Sequence, residues 1–287
     1  MKLILSRKGF DSSAGGVPSP IFSDGQMVSL PIPDKSSPVT FGEISYRGSS
    51  LGSLVADLTG GRIPPHYRAH LDPDLVPHSL PRLPGWRAIF GQIGQAQSHL
   101  QNNEVGPGDI FLFFGLFRSV KKLNGSYTWV RDTRSYHVIW GWLQIAEVLH
   151  LGHARPHGYD WAVYHPHFNR GADLNNVVYI AKHHLKIDGL AESLSGAGTF
   201  SHFSLCRQLT ASNAGNVTTW DLPGWFHPGE NRQPLTYHAD PKRWQKRDDR
   251  TMLKSVARGQ EFVLDCDEYP EAINWVCDLI RNTDVEC

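Results

Sequence analysis

The chain opens on an apolar block, Leu3-Ile4-Leu5, that predicts a short buried strand over residues 3–6 and runs straight into the polar, glycine-rich segment SRKGFDSSAGG. Pro18, Pro20, Pro31, Pro33 and Pro38 punctuate the next stretch and leave room for one edge strand from Val28 to Ile32, because sheet edges tolerate proline. Leu51, Leu54, Val55 and Leu58 then recur at helical spacing. Ser49 or Ser50 is placed to cap that helix and Gly60-Gly61 to end it. Residues 62–84 are rich in Pro and His and carry no apolar period, so they read as a long loop, a feature that in compact proteins is usually functional.

From Trp86, the residues Ile89, Phe90, Ile93 and Leu100 follow a helical period that closes at Asn102-Asn103. Gly106-Pro107-Gly108-Asp109 makes a turn, and the run from Ile110 to Phe114 is too short for a helix and suits a buried strand. Further strands are predicted over 127–130, 136–149, 161–164, 176–180 and 261–264, with loops and brief strands over 189–241. A last helix starts at Pro270 and carries Ile273, Val276 and Ile280 on one face, with Asp267, Glu268 and Glu271 at the positive end of its dipole. The pattern predicts an α+β fold: a strand-rich central sheet with peripheral helices and long loops. It shows no repeat and no linker, so residues 1–287 are expected to form a single domain.

Lys plus Arg equals Asp plus Glu at 28 each, so no protein-wide field gathers a polyanion, and any anion site must be local. The local basic groups are Arg7 with Lys8, Arg118 with Lys121 and Lys122, and the stretch from Lys242 to Arg247, which Asp248 and Asp249 follow as on a solvated helix. No run of about 20 apolar residues exists to span a bilayer, and the opening residues reach Arg7 and Lys8 too soon for a signal peptide. Cys206, Cys266, Cys277 and Cys287 form no C-x-x-C pair and are expected to be reduced, which together predicts a cytoplasmic protein.

The segment after the first strand is the densest in chemistry. A buried strand there delivers Arg7, Lys8, Asp11, Ser12 and Ser13 to a sheet edge, and its glycines let backbone N–H groups approach a phosphate. It is neither a P-loop nor a G-x-G-x-x-G. Asp11 is a candidate base, metal ligand or sugar-hydroxyl acceptor. Fifteen histidines raise the expectation of a titratable site. His165-Pro166-His167, read as extended, would point both imidazoles one way, as two metal ligands require. Asp160, Asp173 and His238 are the available further ligands, but no spacing singles them out, so the chain is expected to bind no metal. His238 is a candidate general base with Asp240 as its orienter. The sequence names no cofactor.

The string MKLILSRKGFDSSAGGVPSPIFSDGQMVSLPIPD resembles the start of a bacterial and phage family, the nucleotide-modification-associated domain, type three. The resemblance continues through GDIFLFFGLF, YHVIWGWLQI, NNVVYIAKHHL and GQEFVLDCDEYPEA. It implies an association with nucleotide or base modification and supports the N-terminal residues as a site, without supplying a mechanism. The segment VGPGDIFLFFGLFR…SYHVIWGWLQIAEVL, within about 104–182, also looks like the PUA-like barrels, which include ASCH and EVE relatives and read RNA or modified bases. On that reading Arg118, His137 and Trp140, with Trp142, share a barrel sheet, and an aromatic there stacks on a base.

The preferred reading is an enzyme acting on a nucleotide or nucleic-acid base. The N-terminal loop would hold phosphate or sugar, the central strands the base, and His165, His167 or His238 would move protons. The alternative is a non-catalytic reader of modified bases that needs Trp140 or Trp142 and Arg118 in an open pocket. A third reading is an accessory subunit that docks partner modification enzymes.

Overall fold

A computed structural model describes the chain except for residues 153–155, 172, 191–192, 258, 260 and 282–287. Its N-terminal third contains β1 (Lys2–Arg7), β2 (Ser19–Ile21), β3 (Ile32–Pro33), β4 (Ser45–Tyr46), β5 (Ser49–Ser50), α1 (Leu51–Thr59), β6 (Ala69–His70) and β7 (Ile89–Gln92). There follow α2 (Gly94–Asn102), β8 (Ile110–Leu123), β9 (Ser126–Trp129), β10 (Tyr136–His150), β11 (Val177–Ala181) and β12 (Ala197–Thr199). The last part holds β13 (Thr219–Pro223), β14 (Trp244–Arg247), β15 (Arg250–Lys254), β16 (Glu261–Asp265) and α3 (Glu271–Arg281).

The apolar runs assemble a nine-stranded mixed sheet in the order β16-β1-β8-β10-β11-β7, with β2 and β9 also on β8 and β12 on β10. β1 lies between antiparallel β16 and parallel β8. Strands paired on both sides and covered on both faces read as continuous apolar runs rather than alternations, which is why Leu3, Ile4 and Leu5 are fully buried. The α+β prediction holds. Among the described residues the strand path stays open from β16 to β7, so the expected PUA-like barrel does not close.

Helix α1 forms as its signals predict. The Ser50 hydroxyl accepts the Gly52 N–H, and Gly60 ends the helix in the left-handed region at φ 61°. Four expectations need correction. The helical period from Trp86 is broken by β7, which pairs with β11, and Gly94 at φ 63° turns the chain before α2 begins. Gly91 and Gly94 weaken a helix there, and burial of Ile89 and Phe90 in the sheet outweighs their spacing. Residues 161–164 form a 3₁₀ turn, Asp160–Ala162, and not a strand. The Lys242–Arg247 helix is a short turn leading into β14, which hairpins with β15 through Asp248-Asp249. The edge strand expected over 28–32 begins only at Ile32, where β3 pairs with β6.

Two core clusters cover most of the apolar surface. One is centred on β1, β8, β10 and α3, the other on Phe10, Phe41 and α1. Cys266 and Cys277 are free and buried as expected. Cys287 lies outside the described residues. Among the described residues no helix is long and apolar enough to cross a membrane.

The loop over 62–84 is tied to the sheet edge. Asp74 exchanges both backbone hydrogen bonds with Ile89 of β7, at 2.9 and 3.0 Å. Its buried carboxylate receives two bonds from Arg82, at 2.7 and 2.8 Å, and a third from the Tyr164 hydroxyl. Arg82 also stacks over Trp86, 4.4 Å from the ring centre, while the Trp86 indole N–H donates to Tyr164 at 2.7 Å. This clasp joins the loop before β7 to the segment around residue 164. Arg82→Ala strands the Asp74 charge, which is 1% exposed, and is expected to cost about 3–5 kcal/mol of unfolding free energy. Denaturant melts measure it; a loss below about 1 kcal/mol, the range of exposed pairs, would show that the clasp does not hold these loops.

Candidate active site

Pairing of β3 with β6 sets Ile32 opposite His70, which brings Asp34 beside the His70 ring. The Nδ1–H of His70 donates to Asp34 Oδ2 at 2.7 Å. Asp34 is itself held by the backbone N–H and hydroxyl of Ser36, at 2.9 and 2.6 Å. Two residues past His70 stands Asp72. Because Asp74 pairs with Ile89, Asp72 meets Gly91 of β7, whose N–H donates to Asp72 Oδ1 at 2.8 Å.

The clasp at Tyr164 delivers the next two histidines to the same carboxylate. His165 Nε2 lies 3.3 Å from Asp72 Oδ1, and His167 Nε2 lies 3.4 Å from Oδ2. His70 Nε2 is 3.5 Å from Oδ2. The segment is a 3₁₀ turn, Pro166–Asn169, rather than the extended stretch predicted, yet both imidazoles still converge. Asn176, just before β11, fixes the His167 ring. Its side-chain NH₂ donates to the His167 carbonyl at 2.8 Å, so its Oδ1 accepts from His167 Nδ1–H at 2.6 Å, and Nε2 is left facing Asp72. Gly91 makes room for this: a Cβ there would lie 2.3 Å from the His167 ring.

Burial is nearly complete, with the side chains of Asp72, His165 and His167 no more than 4% exposed. Burial alone would raise the Asp72 pKa, but His165, His167 and His70 outweigh it and hold the carboxyl well below its ordinary range. Burial likewise pulls His70 down, and the carboxylates of Asp34 and Asp72 more than reverse this. His165 shifts the other way: burial dominates and favours its neutral form. Neither ring nitrogen of His165 has a hydrogen-bond partner. His70, Asp72 and His167 each offer one potential ligand atom, and the three atoms lie within 4.8 Å of one another.

Asp72 also lines a cavity of about 200 Å³ between the two main core clusters. Its walls include Gly9, Met27, Tyr46, Leu71, Trp140 and Phe200. The Trp140 indole nitrogen is buried without a partner.

Residues 2–265 match the family model described as nucleotide modification associated domain 3. The chain belongs to this family. Neither the comparison with curated proteins nor that with solved structures gives a match.

The sequence-derived candidates of this family member divide into three groups. His165, His167 and Trp140 are at the site or its cavity. The N-terminal residues lie elsewhere: Lys8 is paired with buried Glu261 at 2.8 Å, and Arg7 donates to the Ala257 carbonyl at 3.0 Å. Asp11 spends one carboxylate oxygen on Ser13 and Ala14 in a local turn, Ser12 is exposed, and the segment reaches the cavity through Gly9. The remaining candidates have structural partners. Arg118 donates to Thr133 and the Val130 carbonyl, His137 accepts from Trp220, and Asp240 caps the turn at Lys242 rather than orienting His238. His70, Asp72, Asp34 and Asn176 went unpredicted. One signal was present: His70-x-Asp72 repeats the i, i+2 spacing of His165-x-His167 inside the loop already singled out.

His238 is fully buried, with Nδ1 bonded to the Thr236 carbonyl and Nε2 accepting the Val256 N–H. Burial pushes its pKa from 6.5 down to about 4. The folded state thus refuses a proton that the unfolded chain takes up below pH 6.5. Stability from this group is full above that pH and is lost as pH falls toward about 4, by about 3 kcal/mol at most. His238→Gln is expected to flatten the fall between pH 6.5 and 4 in denaturant melts. An unchanged slope would assign the titration to other groups.

Proposed function

We propose that this chain modifies a nucleotide or nucleic-acid base, with the base in the Asp72 cavity and Asp72 with its histidines as the chemical centre. One observation carries the reading: Asp72, whose carboxylate organises three imidazoles, is also a lining residue of the apolar, aromatic-lined cavity. Apolar pockets with a few convergent polar groups of shifted pKa are the usual form of an active site. The cavity, at about 200 Å³, is below the roughly 300–1,000 Å³ typical of pockets for drug-sized ligands, which suits a single base better than a whole nucleotide.

The residues divide the work. Phe200, Trp140 and Tyr46 offer aromatic surface for stacking, worth about 1–3 kcal/mol per base. The unpartnered Trp140 N–H is a donor for a ring nitrogen or carbonyl of the base. Asp72, held ionised by its imidazoles, and His165, whose burial favours the neutral form, are the groups able to accept a proton at this centre. Membership of a nucleotide-modification family supports the substrate class.

Nucleoside mass spectrometry of DNA and RNA from cells expressing the wild type or Asp72→Asn tests this. A new or depleted nucleoside is expected with the wild type and not with the variant, at equal soluble protein. A mass difference that persists in Asp72→Asn would exclude this centre. Base binding without any mass difference would favour the reader alternative.

A further inference from the structure

The geometry points to a metal site: His70 Nε2, His167 Nε2 and Asp72 Oδ2 bind one divalent transition-metal ion of the zinc class, with His165 against the other carboxylate oxygen. The inference deepens the functional reading above and rests on the same centre. The expectation of metal independence came from the lack of ligands to join His165-x-His167; His70 and Asp72 are such ligands, contributed by a loop about ninety residues earlier in the chain.

Four observations carry it. First, the network fixes the tautomers. His70 gives its Nδ1 proton to a carboxylate and His167 gives its own to a carboxamide, so the Nε2 atoms of both rings face a carboxylate oxygen, and in the neutral rings that a metal ion requires these atoms are lone-pair donors. Acceptors facing acceptors repel unless a cation lies between them. Protons alone would place two imidazolium rings, His70 and His167, against one oxygen of a single buried carboxylate. Second, donation of the outer N–H to a carboxylate or amide oxygen is the arrangement that orients metal-bound histidines and makes them better ligands. Third, the spacing fits. Bonds of about 2.0–2.1 Å to a tetrahedral ion set neighbouring ligand atoms about 3.3–3.4 Å apart. The Nε2···O separations to Asp72 are 3.4 Å from His167 and 3.5 Å from His70, longer than charge-assisted hydrogen bonds of about 2.7–2.9 Å. Fourth, His165 is fully buried, its Nδ1 has no partner, and its Nε2 lies 3.3 Å from Asp72 Oδ1 without forming a well-aligned hydrogen bond, so the centre holds a buried polar group that is not fully satisfied. Three protein ligands leave a fourth position, as catalytic zinc sites do.

The test uses the full chain without a polyhistidine tag, stripped with chelator and dialysed. Zinc is added by calorimetry and cobalt(II) is followed by its visible absorption. One equivalent is expected to bind, with cobalt bands of a four-coordinate site. His70→Ala and His167→Ala should abolish that equivalent while the far-ultraviolet circular dichroism stays that of the wild type. Should either misfold, Asp34→Asn and Asn176→Ala, which keep every ligand, are expected to weaken binding about 10–100-fold. No saturable equivalent in the folded wild type, or binding that these variants leave unchanged because surface histidines supply it, overturns the proposal. Because binding is read directly, the two readings fail separately. One bound equivalent together with a mass difference that survives Asp72→Asn supports the metal site and sinks the functional reading. A mass difference lost in Asp72→Asn without metal binding does the reverse.

Discussion

The constraint on which this molecule turns is a buried carboxylate that three imidazoles share. Moving an ion such as Asp72 out of water carries an effective penalty of several kcal/mol unless neighbours compensate it. Much of the local architecture supplies that compensation. The Gly91 N–H fixes one oxygen, Asp34 and Asn176 turn the rings of His70 and His167, and the Asp74–Arg82–Tyr164 clasp presses the two contributing segments together. None of these groups is adjacent in sequence to all the others. The sheet edge at β7 and β11 brings them within reach, since Gly91 pairs with Val178 and Asn176 stands one residue before β11.

Placing polar chemistry on an edge strand has a structural logic. The central runs Leu3–Leu5 of β1, Ile110–Phe114 of β8 and Val138–Leu143 of β10 are buried and apolar on both faces. At the edge, the loop containing Asp72 substitutes for a further strand, because Asp74 pairs with Ile89. This pairs the backbone of β7 at Ile89 and sets Asp72, a residue of the cavity lining, beside the histidine cluster. The second buried ion pair, Lys8 with Glu261, is bound to Gln92, the residue after Gly91. Successive strand residues point to opposite faces, so β7 separates the two polar centres.

The parts of the fold written in local physics were legible in the sequence. The apolar runs of β1, β8, β10 and β11 and the capped helix α1 appear within a residue or two of prediction, apart from β8, which continues to Leu123. Where two local signals competed, tertiary pairing decided: β7 overrode a helical period, and β14 overrode a charged stretch that reads as a solvated helix. Half of the site was legible for the same reason. His165-x-His167 shows its spacing in the sequence, but its partner His70-x-Asp72 lies in a stretch without periodicity, and only the β3–β6 and Asp74–Ile89 pairings bring the two together. The N-terminal loop shows the converse. Its charges and glycines look like a ligand cradle, yet Lys8 and Asp11 have partners within the protein.

The most direct measurement of the central claim is the imidazole and indole ¹H–¹⁵N spectrum of the protein as nucleoside monophosphates and short oligonucleotides of each base are added. The account predicts that a binding ligand shifts the ring signals of His70, His165 and His167 together with the Trp140 N–H, while His238 and His99, both bonded to Thr236 and absent from the cavity lining, stay in place. Saturable binding that moves His99 or His238 and leaves the three clustered rings and Trp140 unchanged would contradict it.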